Sequence, residues 1–206
     1  MRMIHRGGAA LIEARLNQTM KNTEKDKEAR NLIEQLERSR GAKVSKPQDR
    51  SYDLLIRESS GDIHAEIKGM DMQSTWVGIN GIRALQRLID DPAYRLYFCA
   101  FGNVPAVLRC RSAWLYSVLQ WDLPELDKLQ KAITYLSDPA LKSKVKLLCR
   151  VTFHLPIALG LLIKAFESLD PKKCQNTVDG IWRFDAGIWK QTFHPPVTQA
   201  ASGGHS

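Results

Sequence analysis

The sequence predicts an α/β fold, a small mixed β-sheet flanked by helices, with an all-helical C-terminal extension. Three observations point to it. Residues 51–69 alternate apolar and polar side chains with the period of two that strands show. Apolar stripes at helical spacing lie on either side of that stretch, over 24–38 and 79–89. The nearly unbroken aromatic and apolar run from Tyr94 to Phe101 has the length and composition of a strand buried on both faces.

In chain order, residues 1–20 carry a short amphipathic pattern after Gly7-Gly8, with Leu11, Ile12, Arg15 and Leu16 grouped as on a helical arm. Thr23 suits an N-cap, and Ala29, Leu32, Ile33 and Leu36 form the stripe of a first core helix that Gly41 ends. Glu28 lies one turn before Leu32 and beside this stripe, whereas Glu34 and Glu37 fall farther round the helix. Residues 42–45 predict a short strand, closed by the polar loop 46–50. In the hairpin that follows, Tyr52, Leu54 and Ile56 alternate with Asp53, Leu55 and Arg57, and Ile63, Ala65 and Ile67 alternate with His64, Glu66 and Lys68. Ser59-Ser60-Gly61-Asp62 supplies the turn. Side chains two apart on a strand share a face, so Glu66 and Lys68 project together with His64 at their edge, and strand pairing lets Asp53 join them.

The segment 70–76 has no clear period and passes the charged cluster, which makes Gln73 and Ser74 candidates for substrate contact. Ile79, Ile82, Leu85, Leu88 and Ile89 predict a second helix, with Arg83 and Arg87 four apart on another face and available to phosphates. Asp91-Pro92 breaks it. A helical crossover into Tyr94–Phe101 makes that strand parallel to its predecessor, hence a mixed sheet. From about residue 105 the spacing of Trp114, Leu115, Val118 and Leu119, of 123–136 and 141–155, and of Leu159, Leu162, Ile163 and Phe166 predicts helices throughout. Lys142, Lys144, Lys146 and Arg150 form a basic cluster, although positions two apart do not share a helix face. Trp182, Phe184, Trp189 and Phe193 are dense aromatics suited to capping the core, the favoured reading, to stacking bases or to holding a partner. The division that results is a core with its arm over 1–104, a helical extension over 105–194 and a flexible tail over 195–206.

At 206 residues, 44% of them hydrophobic, the chain is long enough for one sizeable core or a core with a subdomain. Its net charge of +8 is unevenly spread. Residues 1–50 hold 12 Lys and Arg against 7 Asp and Glu, residues 51–104 hold 5 against 7, and the remainder 13 against 8. An acidic centre between basic flanks suits a site that gathers carboxylates and surrounds them with phosphate-binding charge. Cys99, Cys110, Cys149 and Cys174 show no zinc-ligand spacing, and buried free thiols in a reducing, cytoplasmic setting are expected. No secretory signal is read at the N-terminus, and the most apolar tract, 155–166, is interrupted by Pro156 and Lys164, so no membrane association is expected. No nucleophile elbow, Walker loop or HExxH motif supports acyl transfer or nucleotide hydrolysis.

An acid on one strand and acid-apolar-Lys on the next is what metal-dependent phosphodiester hydrolysis requires. Mg²⁺ takes one or two protein carboxylates, with waters and phosphate oxygens completing its shell, and Asp53 and Glu66 are candidates for that role. Lys68 beside them is placed to orient or help deprotonate the attacking water and to offset phosphate charge. Asp53 and the triplet Glu66, Ile67, Lys68 resemble the signature of the PD-(D/E)XK, or restriction-endonuclease-like, nuclease superfamily, with Tyr52 where the name expects Pro. The resemblance covers roughly residues 24–104. It implies a core of helix, three strands, helix and strand, Mg²⁺ or Mn²⁺ as cofactor, DNA as substrate, and Glu28 as a further acid brought from the first helix. It leaves open a non-catalytic member of the same fold that binds nucleic acid or serves assembly, with the helical half offering a surface to a second copy or a protein partner. A helical interaction protein whose hairpin is coincidental is the third reading.

Overall fold

The computed structural model describes residues 22–47, 52–74, 77–111, 152–155, 159–168 and 177–194, with the isolated positions 131, 134, 136, 138 and 140. The expected N-terminal arm, the cluster Lys142, Lys144, Lys146 and Arg150, most of the stretch 112–151 and the tail lie outside the described residues.

The stripe Ala29, Leu32, Ile33, Leu36 produces helix α1 (Asn22–Ser39), and all four side chains are fully buried. The helix stops where Gly41 adopts a φ of 89°. There the Gly41 N–H donates to the Arg38 carbonyl at 3.0 Å and the Ala42 N–H to the Glu37 carbonyl at 3.0 Å, which satisfies the last-turn carbonyls through a residue with no Cβ to strain.

Strands β1 (Lys43–Ser45), β2 (Leu54–Glu58) and β3 (Gly61–Asp71) follow, each antiparallel to the one before. The register sets Leu54 opposite Ala65 and Ile56 opposite Ile63, so Leu54, Ile56, Ile63, Ala65 and Ile67 join the α1 stripe in one core. Strand β4 (Val77–Asn80) and helix α2 (Gly81–Asp90) then lead into β5 (Tyr94–Phe101), which runs parallel to β3 with His64 opposite Tyr94 and Lys68 opposite Phe98. Every β5 side chain except Arg95 is buried, as expected of a central strand. Burying an aromatic side chain contributes about 1.5–3 kcal/mol, so Tyr94, Tyr97, Phe98 and Phe101 anchor the sheet's middle.

The expectation of a small helix-flanked sheet with an all-helical C-terminal half is overturned. The main sheet has seven strands in the order β1-β2-β3-β5-β6-β8-β9, and β6 (Ala106–Cys110), β8 (Val178–Asp185) and β9 (Ile188–Phe193) come from the half expected to be helical. Strand β7 (Thr152–Leu155) pairs with β4 in a separate two-stranded sheet. Among the described residues the helices with defined bounds are α1, α2 and α3 (Leu159–Ser168), and no helix there is long and apolar enough to cross a membrane. The reason lies in short alternations hidden by dense aromatics. Trp189, Gln191 and Phe193 turn inward while Ile188, Lys190 and Thr192 are exposed, a period of two. Ala186 and Gly187, at φ of 50° and 82°, make the two-residue turn joining β8 to β9. The Trp182 indole folds back over Gly180, where a Cβ would lie 2.4 Å from the ring.

The α1 face of the sheet carries an ionic network as well as apolar packing. Glu37, expected farther round the helix from the core, has no exposure at all. It accepts hydrogen bonds from the Tyr97 hydroxyl at 2.9 Å and Arg40 at 2.7 Å, with Arg109 at 3.4 Å. Arg109 also donates to Glu58 at 2.9 Å. Asp179 receives Arg95 at 2.6 Å and the Arg111 guanidinium. Arg40 and Arg109 lie over the Trp182 ring, 4.7 and 5.3 Å from its centroid. A cavity of about 240 Å³ opens beside this network, between the β2–β3 turn and Arg95, Arg109 and Arg111. Burial alone would raise the Asp179 and Glu58 carboxyls, but the Arg109 charge, with Arg95 and Arg111 at Asp179 and Arg40 at Glu58, outweighs it and holds both below the usual range.

Depressed folded-state values stabilise the fold at pH above the unfolded-state values of 3.8 and 4.5, and that contribution is lost as pH falls through the folded ones. Asp179→Ala leaves Arg95 and Arg109 without their shared carboxylate and is expected to cost roughly 3–5 kcal/mol in urea unfolding at neutral pH. The variant's stability should also fall less steeply with acid than the wild type's. A cost below about 1 kcal/mol, the range of surface pairs, contradicts the assignment.

A two-carboxylate candidate site on strand β3

The pleat of β3 turns Ile63, Ala65 and Ile67 toward α1 and leaves His64, Glu66 and Lys68 on the other face. Asp53 enters from the start of β2. Its N–H donates to the Ala65 carbonyl at 2.8 Å, and its Oδ2 accepts the Ile67 N–H at 2.8 Å. That second bond seats the Asp53 carboxylate against the backbone between Glu66 and Lys68. The structure thus brings together Asp53, Glu66 and Lys68.

Each carboxylate has one neutral donor and one cation. Asp53 Oδ1 lies 3.1 Å from Arg30 Nε, opposite the bond from Ile67. Glu66 Oε1 accepts from Lys68 Nζ at 2.7 Å and Oε2 from the Tyr94 hydroxyl at 3.0 Å. Burial raises the Asp53 carboxyl; the Ile67 N–H bond lowers it, the Glu66 charge raises it again, and Arg30 and Lys68 offset part of the rise. Burial, then the charge and hydrogen bond of Glu66, push the Tyr94 phenol well above its usual value, so it stays protonated and donates. Arg87 of α2 is near enough to oppose that rise.

Beside the carboxylates, His64 stacks on Tyr52, with ring centroids 4.5 Å apart and planes 11° from parallel. Its Nδ1 is 2.5 Å from Asp91 Oδ2. His64 is therefore held between a ring and a carboxylate at the edge of the cluster.

The other expected site residues are spread around it. Glu28 sits half-buried on α1 and accepts from Asn31 at 3.4 Å, and its charge adds to the effect of burial in raising the Cys99 thiol; among the described residues no hydrogen bond or ion pair joins it to Asp53, Glu66 or Lys68. Gln73 is exposed and Ser74 half-buried in the turn after β3, where Ser74 donates its N–H to the Asp71 carbonyl and accepts from the Leu159 N–H of α3. Arg87 is half-buried on α2; the side chain of Arg83 lies outside the described residues.

Arg30 and Tyr94 were not legible as site residues. A buried tyrosine needs a partner for its hydroxyl, which is the one signal Tyr94 gave. Arg30 is brought in by the way α1 crosses β3. A Cβ at Gly69 would stand 2.6 Å from the Lys25 carbonyl oxygen and 3.0 Å from Ala29 Cβ, and the Lys25–Asp71 ion pair at 2.6 Å closes the same contact.

Asp53 and Glu66 supply hard oxygen donors close enough for one charge to act on the other, a set that fits Mg²⁺ or Mn²⁺. Among the described residues no group of three or more His, Cys, Asp and Glu converges as a ligand set. Gly69→Ala is expected to lower stability by roughly 1–3 kcal/mol, because the clash is with backbone and α1 must shift. An unchanged or higher urea midpoint would show that α1 is not seated on Gly69. In comparisons with protein-family models, curated proteins and solved structures, no significant match to the chain was found.

Proposed function

We propose that the chain is a metal-dependent nuclease that hydrolyses phosphodiester bonds in DNA, a member of the PD-(D/E)XK superfamily. The observation that carries this reading is the seating of Asp53 beside Glu66 and Lys68 by the Ile67 N–H. The order of elements over residues 22–101 supports it, with α1, three antiparallel strands, β4, α2, and β5 parallel to β3. So does the acidic centre of the sequence between basic flanks.

Asp53 and Glu66 would hold the divalent ion, which when bound lowers the pKa of a water and screens phosphate charge. The chain's own groups supply the rest. Ile67 N–H and Tyr94 OH fix one oxygen of each carboxylate and so set the direction of the other. Lys68, 2.7 Å from Glu66 and largely buried, would orient the attacking water as a hydrogen-bond donor and offset the negative charge that builds on the phosphate. Arg87 and the turn at Gln73 and Ser74 are the expected contacts for the flanking phosphates.

A second reading, a non-catalytic module that binds nucleic acid, draws on the pairing of both carboxylates with the chain's own cations. Activity separates the two. Purified protein incubated with plasmid, linear duplex and single strands is expected to cut only with Mg²⁺ or Mn²⁺. Lys68→Ala is expected to slow cleavage by about 10²-fold or more, the scale of a lost electrostatic donor to the reacting group, with an unchanged circular dichroism spectrum. Cleavage by Lys68→Ala at the wild-type rate sinks the assignment of Lys68, and no cleavage of any substrate under any metal favours the binding module.

A further inference from the structure

Arg30 is the charged member of the cluster to which the chemistry above gives no part. It stands on α1 with its side chain 50% exposed, and Nε lies 3.1 Å from Asp53 Oδ1. Each carboxylate is held on one oxygen by a neutral donor, Ile67 N–H or Tyr94 OH, and on the other by a cation, Arg30 or Lys68. The neutral donors keep their bonds whatever sits between the carboxylates. The cations occupy the oxygens that a metal would take.

A divalent ion bound by both acids competes with these cations for the carboxylate charge, and the more weakly held cation yields first. Lys68 is 15% exposed and its ammonium is 2.7 Å from Glu66, so releasing it moves a largely buried charge. Arg30 is half solvated already and its closest contact to Asp53 runs through Nε, so releasing it costs less than releasing Lys68. Once released it stays in the neighbourhood, because the α1 backbone one turn earlier is fixed against Gly69. A guanidinium beside a site built for phosphodiesters has an obvious second partner, since its planar fork matches phosphate oxygens.

We propose that Arg30 is the resident counter-ion of Asp53, yields that place to the divalent cation, and on release binds a phosphate of the nucleic acid. This rests on the nuclease reading and adds to it an ordered site, metal first and then Arg30-dependent grip on DNA.

The test compares wild type with Arg30→Gln by calorimetric titration of Mg²⁺. Arg30→Gln is expected to bind Mg²⁺ about two- to fivefold more tightly, the worth of an exposed ion pair removed from competition. In proteins that also carry Lys68→Ala to slow cleavage, anisotropy of a labelled duplex reads the second half. With Mg²⁺, Arg30→Gln should flatten the plot of log affinity against log salt by about 0.9, one phosphate contact, and with EDTA the two slopes should coincide. Unchanged or weaker Mg²⁺ affinity in Arg30→Gln overturns the displacement, and an unchanged slope in Mg²⁺ overturns the phosphate contact. Absence of Mg²⁺ uptake by the wild type removes the nuclease reading together with this inference, whereas wild-type uptake that Arg30→Gln leaves unaltered removes this inference alone.

Discussion

At Gly69 the backbone of α1 comes so near β3 that there is no room for a Cβ, and the arrangement of charge around the carboxylates depends on that contact. It fixes Lys25 and Ala29 over the strand one residue beyond Lys68, and so brings Arg30 within reach of Asp53. It also holds the α1 stripe down on Leu54, Ile56, Ala65 and Ile67. The apolar core and the polar site are two faces of one strand. Any shift of α1 is felt by both.

The two faces treat charge differently. On the α1 side Glu37, Asp179 and Arg109 are nearly or fully buried, with Arg95 half-buried beside them, and carboxylates pair with guanidiniums; such groups hold a geometry and are costly to break singly. On the other side Asp53 and Glu66 each have one oxygen tied by a neutral donor and one by a cation. Carboxylates kept in place by uncharged bonds retain their direction when the cation changes. That is the property a site needs if Mg²⁺ and phosphate are to come and go around it.

The hairpin, the first helix and the central strand were legible because each rests on a strong local period. Tyr52 to Lys68 alternates cleanly, Ala29 to Leu36 repeats at helical spacing, and Tyr94 to Phe101 is long and apolar. The same periods made Asp53, Glu66 and Lys68 visible as a group. The C-terminal half was misread because four short strands, β6 to β9, lack such runs, and the aromatics of 182–193 obscure their alternation. Partners set by tertiary crossing could not be named from the sequence. Arg30 reaches Asp53 through the α1–β3 contact, Tyr94 reaches Glu66 through the parallel register of β3 and β5, and Glu37 is buried by Tyr97 and Arg109, which come from strands 60 and 72 residues away.

Under the proposed function Asp53 and Glu66 together hold a divalent ion. Electron paramagnetic resonance of Mn²⁺ added to the purified protein reads it without reference to activity. A single bound Mn²⁺ in the wild type, lost in Asp53→Asn and in Glu66→Gln while both variants keep their circular dichroism spectra, is the predicted result. Mn²⁺ held as tightly by both variants as by the wild type would contradict it.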